Sequence, residues 1–441
     1  MLARESVADW GIMGRLTLLG LAIIGLIALG FATLEGRVIA LALPLVLYLG
    51  VALGSRPDRP ELAIERTQSA DRVHPDRPVD IRLTICNTGS ELAELHLWDQ
   101  LPSRLSIVDG HADIWTSLGS GDCVELGYTL RGDRGDHYVP GIVAEVRDPF
   151  GLFQQIEQIR APARLLVLPT LRRLRHLSIR PQQTRLFAGP IPARQGGPGV
   201  EFHGVRPYQP GDPKRWIHER ASARHPDQLF TREFEQERMA DIGLILDARR
   251  ARQRIGADLS LFERSVEACA ALAQAWIAEG HRVGLLIYGR HIERTPPGYG
   301  KVQRERIWRA LAQARIGDHP LFAELENLPT RLFPARSQLI LVSPLAPDDL
   351  PTLRTLRARG YALSCVAPDP IRIERTRLAT NGHVDMAATL LRTERRLLLR
   401  RLRALGIHVV DWDVEMPLEQ AVHRAWRRGP LRAVPQRREE P

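Results

Sequence analysis

The chain has 441 residues, which exceeds one ordinary domain and predicts two or three folded units with connectors. Its formal net charge is +10, from 61 basic and 51 acidic residues. The basic set is almost entirely arginine, because only Lys214 and Lys301 are lysines, and a GC-rich genome also produces this composition. Acidic residues interrupt most arginine runs and no basic stretch alternates with aromatics, which argues against nucleic-acid binding.

The four cysteines are widely scattered and form no Cys-x-x-Cys pair, which excludes a zinc ribbon. Cys86 and Cys123 both lie in strand-like sequence and are candidates for pairing in an oxidising compartment. Buried free thiols are the more frequent state of such cysteines, and the topology deduced below favours a reducing compartment. We therefore expect buried thiols at Cys86, Cys123, Cys269 and Cys365.

Residues 1–55 predict a transmembrane helical hairpin. The first uncharged apolar run, residues 16–34, nearly matches the ~20 residues that cross a bilayer core as a helix. The second run, residues 38–53, is slightly short and contains Pro44, which a lipid-embedded helix tolerates. Only Glu35-Gly36-Arg37 separates the two runs, so they form a tight hairpin.

Arginines flank the outer ends of the hairpin and predict its orientation. By the positive-inside tendency both termini face the cytoplasm, so the chain after residue 55 is cytosolic and the protein is a multi-pass protein of the bacterial cytoplasmic membrane. A cleaved signal peptide ending near Ala32 is the alternative, and the second apolar run argues against it. The flanking arginines are Arg4, Arg15, Arg56, Arg59 and Arg66, against Arg37 alone inside the hairpin.

Residues 61–168 predict a β-sandwich-like domain with antiparallel strands. Short alternating runs are separated by Asn, Gly and Asp, the pattern typical of such a domain. The Arg-Gly-Asp triplet within 131–135 is expected to be only a turn, and 148–153 to be a closing turn whose two phenylalanines pack on the sheet. Predicted strands include 79–85, 95–98, 124–130 and 142–146.

A predicted connector at 169–198, rich in proline, glycine and arginine, precedes the distinctive segment 199–237. Pro210-Gly211 predicts a type II turn. Asp212 and Pro213 predict the N-cap and first residue of a short helix through Trp216 and Ile217. Residues 229–235 alternate and predict a strand that enters the next domain.

Polar side chains are dense in this segment. His218-Glu219 lacks the second histidine of a helical zinc site, because Ser222 stands at that spacing. We favour a buried polar network that locks two domains together, with a partner-binding surface as the second hypothesis and catalysis as the third. The polar residues are Glu201, His203, Arg206, Tyr208, Asp212, Arg215, His218, Glu219 and Arg224.

The segment resembles the signature of the domain of unknown function 58 (DUF58) family. In that family Gly-x-Glu-Phe, Arg-x-Tyr-x-Pro-Gly-Asp, Arg-x-Ile and Ala-Arg precede a von Willebrand factor A-like domain. The chain departs at His218-Glu219, where the family often has Asp-Trp. The matching residues are Gly199, Glu201, Phe202, Arg206, Tyr208, Pro210, Gly211, Asp212, Arg215, Ile217, Ala223 and Arg224.

The resemblance covers nearly the whole chain and implies the fold and a partner. It implies a multidomain protein with a membrane hairpin, a β-sandwich and a von Willebrand factor A-like α/β domain. Family members are commonly encoded beside MoxR-type AAA+ ATPases, which implies an ATPase partner.

Residues 238–428 alternate between predicted strands and helices, which indicates a doubly wound, mostly parallel α/β sheet, followed by a polar tail at 429–441. Residues 242–246 form a continuous apolar run, as expected for a strand covered on both faces. Residues 260–279 form an apolar-striped helix with a Ser260/Glu263 capping box and a stop at Gly280. Further strands are predicted at 283–288, 339–342, 363–367 and 407–410, and further helices at 304–314, 349–359, 393–405 and 418–427.

The resemblance to von Willebrand factor A domains implies a Mg²⁺ site at the strand ends, built from Asp-x-Ser-x-Ser and a later Asp. Here Arg249 and Ala251 stand at the serine positions after Asp247, and Ser343-Pro344 stands where a ligand carboxylate is expected. Magnesium requires oxygen ligands, whereas a guanidinium offers only donors and a positive charge. We predict a degenerate site without metal or cofactor, in which Arg249 replaces the cation and pairs with Asp247.

The sequence thus predicts a membrane-anchored, non-catalytic interaction or adaptor protein. Its expected partners are a MoxR-type AAA+ ATPase, other membrane-associated proteins and the lipid bilayer. The alternative is an uncharacterised enzyme that uses Asp212, His203 or His218 of the Glu201–Arg224 segment as acid–base groups. A purely structural membrane protein is a third hypothesis.

Overall fold

The computed structural model describes residues 2–170, 174, 185–225, 227–253, 260–289, 291–317, 333–334, 337–378 and 382–427. The chain forms two compact units, Met1–Leu168 and Pro169–Pro441, and each is described by itself. The polar tail predicted at 429–441 lies outside the described residues.

Two apolar N-terminal segments, Gly14–Thr33 and Gly36–Gly54, are long enough and apolar enough to cross a membrane. Helix α1 (Leu2–Thr33) contains the first, and α2 (Gly36–Ala40) with α3 (Ala42–Gly54) forms the second. The second segment breaks between α2 and α3 because Pro44 has no N–H to donate to the carbonyl four residues earlier.

The rest of the first unit consists of two sheets. The four-stranded sheet has the order β1 (Leu62–Gln68), β3 (Val79–Asn87), β7 (Cys123–Gly132) and β5 (Leu105–Gly110). The five-stranded sheet has the order β2 (Arg72–Val73), β9 (Gln154–Val167), β8 (Gly135–Arg147), β4 (Leu92–Asp99) and β6 (Asp113–Leu118). Every pairing is antiparallel except that of β2 with β9.

One apolar core joins the two sheets, because alternate side chains of β3 and β4 point into it. A buried polar triad crosses the same core. Arg66 of β1 donates to Asp99 of β4 with a distance of 2.6 Å from Nη1 to Oδ2, and the Tyr128 hydroxyl of β7 also donates to Asp99. Since a buried carboxylate is costly unless paired, this triad fixes how the two sheets face each other.

The expectation of free thiols at Cys86 and Cys123 is wrong, because a disulfide joins them. The two residues are register partners on β3 and β7, and their side chains lie on the outer side of the sheet, where Cys123 is exposed. Cys269 and Cys365 are buried free thiols, as expected.

The two predicted turns of this unit are present. Residues 133 and 134 connect β7 to β8, so the Arg-Gly-Asp triplet lies at a turn. In the 148–153 turn the Phe153 N–H donates to Asp148 Oδ1 at 2.7 Å. The Phe150 ring packs against Tyr48 of α3, with ring centroids 5.3 Å apart.

In the second unit, β10 (Arg185–Pro207) pairs antiparallel with β11 (Phe230–Met239). The predicted connector at 169–198 is therefore wrong for residues 185–198. The register of this pair shifts at several places, so glycines and prolines of β10 are accommodated by irregular pairing rather than by a loop.

A six-stranded sheet forms the centre of the second unit. Its order is β14 (Ile292–Gly298), β13 (Arg282–Tyr288), β12 (Asp241–Asp247), β15 (Gln338–Val342), β16 (Ala362–Pro368) and β17 (His408–Trp412). All neighbours are parallel except β13 and β14. The predicted strands are all present, and the edge strand β14, which contains two prolines, was not predicted.

Helices cover both faces of this sheet. One core contains side chains of α6 (Ser260–Ala278), α7 (Gly300–Gln313) and α11 (Leu418–Arg427), and the other contains side chains of α8 (Leu350–Ala358) and α10 (Gly382–Ala404). Helix α10 begins earlier than the predicted residue 393. The described part of this unit also contains three short helices, α4 (Glu219–Ser222), α5 (Arg250–Gln253) and α9 (Pro370–Arg377), of which α9 was not predicted.

Candidate functional site

The first candidate site lies where β12 and β15 end. These strands are direct neighbours in the sheet, so the residues that follow them meet at its carboxyl edge. In doubly wound sheets ligands bind at this edge, which makes it the first place to examine for metal or substrate groups.

Arg249 lies between two carboxylates at this edge. Its Nε and Nη2 atoms donate to the two oxygens of Asp247 at 2.9 and 2.7 Å, so the pairing with Asp247 that the sequence predicts is present. Nη2 also donates to Asp349 Oδ1 at 3.0 Å. Asp349 follows β15 and caps its own segment by accepting from the Ala346 N–H at 2.9 Å.

Hydroxyl and amide groups complete the network. The Ser343 hydroxyl donates to Asp247 Oδ2 at 2.6 Å and accepts from the Leu345 N–H at 3.1 Å. Leu345 has a φ of 62°, a left-handed conformation that is rare for leucine and that this hydrogen bond helps to hold. Gln253 donates to the Asp247 carbonyl at 2.6 Å.

The charged groups are almost completely buried, with Asp247 0%, Asp349 1% and Arg249 3% exposed. Burial opposes the charged form of Arg249, but hydrogen bonds and charge attraction to Asp247, with those to Asp349, outweigh it and raise the pKa of Arg249. Burial raises the pKa of Asp349, while the positive charge of Arg249 opposes that shift. One guanidinium thus pairs with both carboxylates, and the negative charge of Asp247 also helps to raise the pKa of Asp349.

This arrangement leaves little for a ligand to bind. Each Asp247 oxygen accepts hydrogen bonds from Arg249, and Oδ2 accepts one from Ser343 as well. Ala251 is exposed and Pro344 is buried beside the network, and neither supplies a side-chain oxygen. Within the described part of the chain, no group of three His, Cys, Asp or Glu side chains is positioned to hold a metal ion.

Sequence reasoning missed Asp349. It expected the second carboxylate at Ser343-Pro344, immediately after the strand, whereas the carboxylate comes from the helical turn Pro347–Asp349 that follows. The available signal was the Pro-Asp-Asp sequence, which is typical of a helix start.

The second candidate site is the loop of the family signature. Arg206 donates from Nη1 and Nη2 to the two oxygens of Asp212 at 2.8 and 2.7 Å, and the Gln209 N–H donates to Asp212 Oδ2 at 2.9 Å. Hydrogen bonds from Arg206 and from the Gln209 backbone lower the pKa of Asp212. Gly211 has a φ of 111° at the third position of a hydrogen-bonded turn, as a type II turn requires.

The predicted helix start at Asp212 is wrong. A single 3₁₀ turn, Lys214–Trp216, follows Pro213, and the Asp212 side chain caps no helix because Arg206 and Gln209 occupy it. Tyr208 donates from its hydroxyl to the Asp212 carbonyl at 3.3 Å, which adds a further bond across the same loop.

The remaining signature residues have structural partners. The His218 Nδ1 accepts from the Ala221 N–H at 3.1 Å and so caps α4. Ile217 forms an isolated bridge with Thr231 of β11, and Arg215 lies 6.0 Å from the Trp216 ring centroid. The side chains of Glu201 and His203 lie outside the described residues.

The hypothesis that the signature is a buried network is wrong for the residues described. None of the described side chains between 202 and 230 is buried. Phe202 is 58% exposed and Leu229 is 52% exposed, and Pro210 and Arg224 are also exposed. The signature is therefore a surface loop that is held in shape by an Arg206–Asp212 clasp.

Residues 204–386 match the family model described as "Protein of unknown function DUF58". This DUF58 region includes both candidate sites, from Gly204 in the signature loop to Asp349 in the buried network. The match supports the resemblance that the signature residues suggest. No curated protein matches the chain.

Among solved structures, three similar ones span about a quarter of the chain. A FixG-related protein from Vibrio parahaemolyticus is 15% identical, with a TM-score of 0.17 and coverage of 25% of this chain and 98% of its own. The CARDB domain of the PF1109 protein from Pyrococcus furiosus is 17% identical, with a TM-score of 0.17 and coverage of 25% of this chain and 96% of its own. A non-cellulosomal cohesin from Archaeoglobus fulgidus is 13% identical, with a TM-score of 0.17 and coverage of 24% of this chain and 90% of its own. The TM-scores are too low to support an argument about function.

The buried network predicts how the DUF58 region responds to Mg²⁺. Wild-type protein should show no shift in melting temperature with added Mg²⁺. Arg249→Ser should destabilise by about 3–5 kcal/mol, because it leaves two buried carboxylates unpaired, and Mg²⁺ should restore part of that loss. Differential scanning calorimetry of the full chain in detergent measures both effects.

Arg252→Ser is the matched control, since Arg252 forms its ion pair with the exposed Asp348 at 2.9 Å. It should change stability by less than about 1 kcal/mol and confer no response to Mg²⁺. Stabilisation of the wild type by Mg²⁺, removed by Asp247→Ala, would contradict the replacement of a cation by Arg249.

Proposed function

We propose that this chain is a membrane-anchored, non-catalytic interaction protein that works as an adaptor for a MoxR-type AAA+ ATPase. In this proposal the two apolar helices anchor it, the two-sheet unit is a β-sandwich, and the six-stranded sheet is a von Willebrand factor A-like domain. The adaptor then presents the strand-end crevice and the signature loop to its partner.

The observation that carries the proposal is the filled crevice at the ends of β12 and β15. Catalysis or metal binding there requires oxygens that are free to bind a ligand or exchange a proton, and those of Asp247 are already bonded to Arg249 and Ser343. Polar groups that are buried and already bonded to one another argue against a reaction at this edge, which favours recognition of the surrounding surface by a partner.

The signature loop supports the same function. Its polar groups are committed to holding the loop in one shape, through the Arg206–Asp212 pair and the His218 cap. Its apolar side chains Phe202 and Leu229 remain exposed. A preordered loop with exposed aromatic and basic residues suits protein recognition, because little conformational entropy is lost on binding.

An ATPase is the proposed partner because of the DUF58 resemblance, whose members are commonly encoded beside MoxR-type ATPases. The membrane anchor strengthens the argument. Confining the loop near a membrane raises its effective concentration for a weakly bound partner that also gathers there.

The proposed orientation places both units in the cytoplasm. It follows from Arg15 and Arg56 at the outer ends of the apolar segments, against Arg37 between them, and an ATPase partner also needs cytosolic ATP. The Cys86–Cys123 disulfide is the opposing observation, because disulfides persist mainly in oxidising compartments. We give more weight to the arginines, since they determine how the hairpin inserts.

Fusions at the C-terminus test this orientation. Green fluorescent protein fused after Pro441 should fluoresce, and alkaline phosphatase fused at the same point should be inactive, because each reporter folds on only one side of the membrane. The reverse pattern would contradict the cytoplasmic orientation and would place the disulfide in an oxidising compartment.

Association with the ATPase tests the partner. The full chain in detergent should retain a MoxR-type ATPase in a pull-down, with a difference between ATP and ADP. Asp212→Asn should reduce retention about tenfold, because it weakens the clasp that shapes the loop.

The matched control is Arg354→Gln, at an exposed arginine of α8. This variant should retain the ATPase as the wild type does. Circular dichroism and the melting temperature show whether each variant remains folded, so that a loss of binding can be distinguished from unfolding. No retention with either nucleotide, or equal retention by Asp212→Asn and the wild type, would count against the proposal.

A further inference from the structure

Helix α10 has more apolar surface than its own domain uses. Its inner face packs in the core of the second unit through Leu398, Leu399 and Leu402. On its outer face Met386 is 70%, Leu390 61% and Leu397 48% exposed. These three residues follow the i, i+4, i+11 spacing of one helical stripe, so they form an apolar line on the surface, with Thr393 between Leu390 and Leu397.

The helix cannot turn this line inward. Arg395 fixes the rotation of α10, because it donates to the carbonyl oxygens of Pro344 and Ala367 at 2.8 Å each and to Asp411 at 3.0 Å. The apolar line is thus a permanent feature of the folded unit. Exposed apolar surface of this kind marks an interaction site on a folded domain.

Arginines flank the apolar line on one side and border a cavity. The cavity has a volume of about 790 Å³ and lies between α9, α10 and the residues after β17. Three of its arginines are paired with carboxylates: Arg372 with Asp413 at 2.7 Å, Arg375 with Asp385 at 2.8 Å, and Arg395 with Asp411 at 3.0 Å. Arg392 and Arg396 have no ion pair with any residue that the structure describes, and both line the cavity.

We propose that α10 is a membrane-surface helix that binds bilayers containing anionic lipids. Met386, Leu390 and Leu397 enter the boundary between headgroups and acyl chains, while Arg392 and Arg396 bind lipid phosphates at the mouth of the cavity. Interfacial helices typically combine an apolar line with arginines beside it. Guanidinium groups donate paired hydrogen bonds to phosphate oxygens. The proposal rests on the proposed function for one point, that the chain is held at a membrane.

A soluble partner fits this surface less well. The line is narrow, lacks aromatic anchors and has free arginines beside it, whereas protein interfaces concentrate their affinity in packed aromatic pockets. A bilayer accepts a narrow apolar line without a complementary shape. Anionic headgroups supply the negative counter-charge that Arg392 and Arg396 lack among the described residues.

Quenching of a fluorophore tests the contact. The full chain, carrying Thr393→Cys labelled with an environment-sensitive dye, is reconstituted in nanodiscs with spin-labelled lipid. Thr393 is exposed within the apolar line. Cys269 and Cys365 are buried, and burial raises the pKa of both thiols, so they do not compete for the label. Cys86 and Cys123 are joined in a disulfide, and labelling is carried out without reductant so that they stay joined.

The control label is Thr355→Cys on α8. Thr355 and Thr393 are both exposed, and each donates from its hydroxyl to the carbonyl four residues earlier. In discs of equal parts phosphatidylcholine and phosphatidylglycerol, strong quenching is expected at position 393 and little at 355. In discs of phosphatidylcholine alone, quenching at 393 should fall severalfold.

Charge variants identify the residues responsible. Arg392→Gln with Arg396→Gln should weaken the docked state roughly 25-fold, at about fivefold for each arginine near an anionic surface. Arg354→Gln with Arg359→Gln on α8 should change nothing. Raising the salt concentration should reduce quenching at 393, because counterions screen the attraction.

The outcomes separate this proposal from the proposed function. A chain that the discs retain but that shows no quenching at 393 overturns the α10 proposal and leaves the anchor intact. Equal quenching at 393 and 355, or equal quenching with and without phosphatidylglycerol, also overturns it. A chain that the discs do not retain overturns both proposals.

Discussion

The second unit depends on one arginine that pairs with two buried carboxylates at the ends of adjacent strands. Asp247 and Asp349 are almost completely buried, and a buried carboxylate without a counter-charge costs several kcal/mol. Arg249 supplies that charge from the same edge of the sheet, and Ser343 supplies a further hydrogen bond. These contacts tie the ends of β12 and β15 together.

This substitution determines what the strand-end crevice can do. A metal ion held by oxygens keeps coordination positions open for a ligand. A guanidinium instead donates its hydrogen bonds to the carboxylates around it. The crevice is therefore rigid and chemically saturated. The signature loop follows the same rule at the surface, since Arg206 and Asp212 neutralise each other and leave the apolar side chains around them exposed.

Much of this architecture is readable from the sequence. The five parallel strands of the six-stranded sheet are predictable because continuous apolar runs such as Ile242–Leu246 are needed when helices cover both faces. The Arg249–Asp247 pair is predictable because the two residues are close in sequence at the end of such a run. Asp349 is not, because it lies 100 positions from Arg249 and only the parallel pairing of β12 with β15 brings them together.

Other features depend on pairing that the sequence does not reveal. Strand β10 contains glycines and prolines that indicate a connector, and only the opposite strand β11 makes it extended. The Cys86–Cys123 bond depends on the register of β3 and β7. Whether the signature is buried depends on what packs against it, and a dense set of polar residues is compatible with either state. In the sequence of α10, the apolar residues of the exposed line cannot be told apart from the leucines that pack in the core.

The most direct test of the central claim is the coupling energy between Arg249 and Asp349. Hydrogen exchange of the β12 amides gives the local opening free energy in the wild type, Arg249→Met, Asp349→Asn and the double variant, all as full chains. If Arg249 does the work of a cation, the two substitutions should be coupled by more than about 1.5 kcal/mol. Additive effects, with a coupling below about 0.5 kcal/mol, would contradict it.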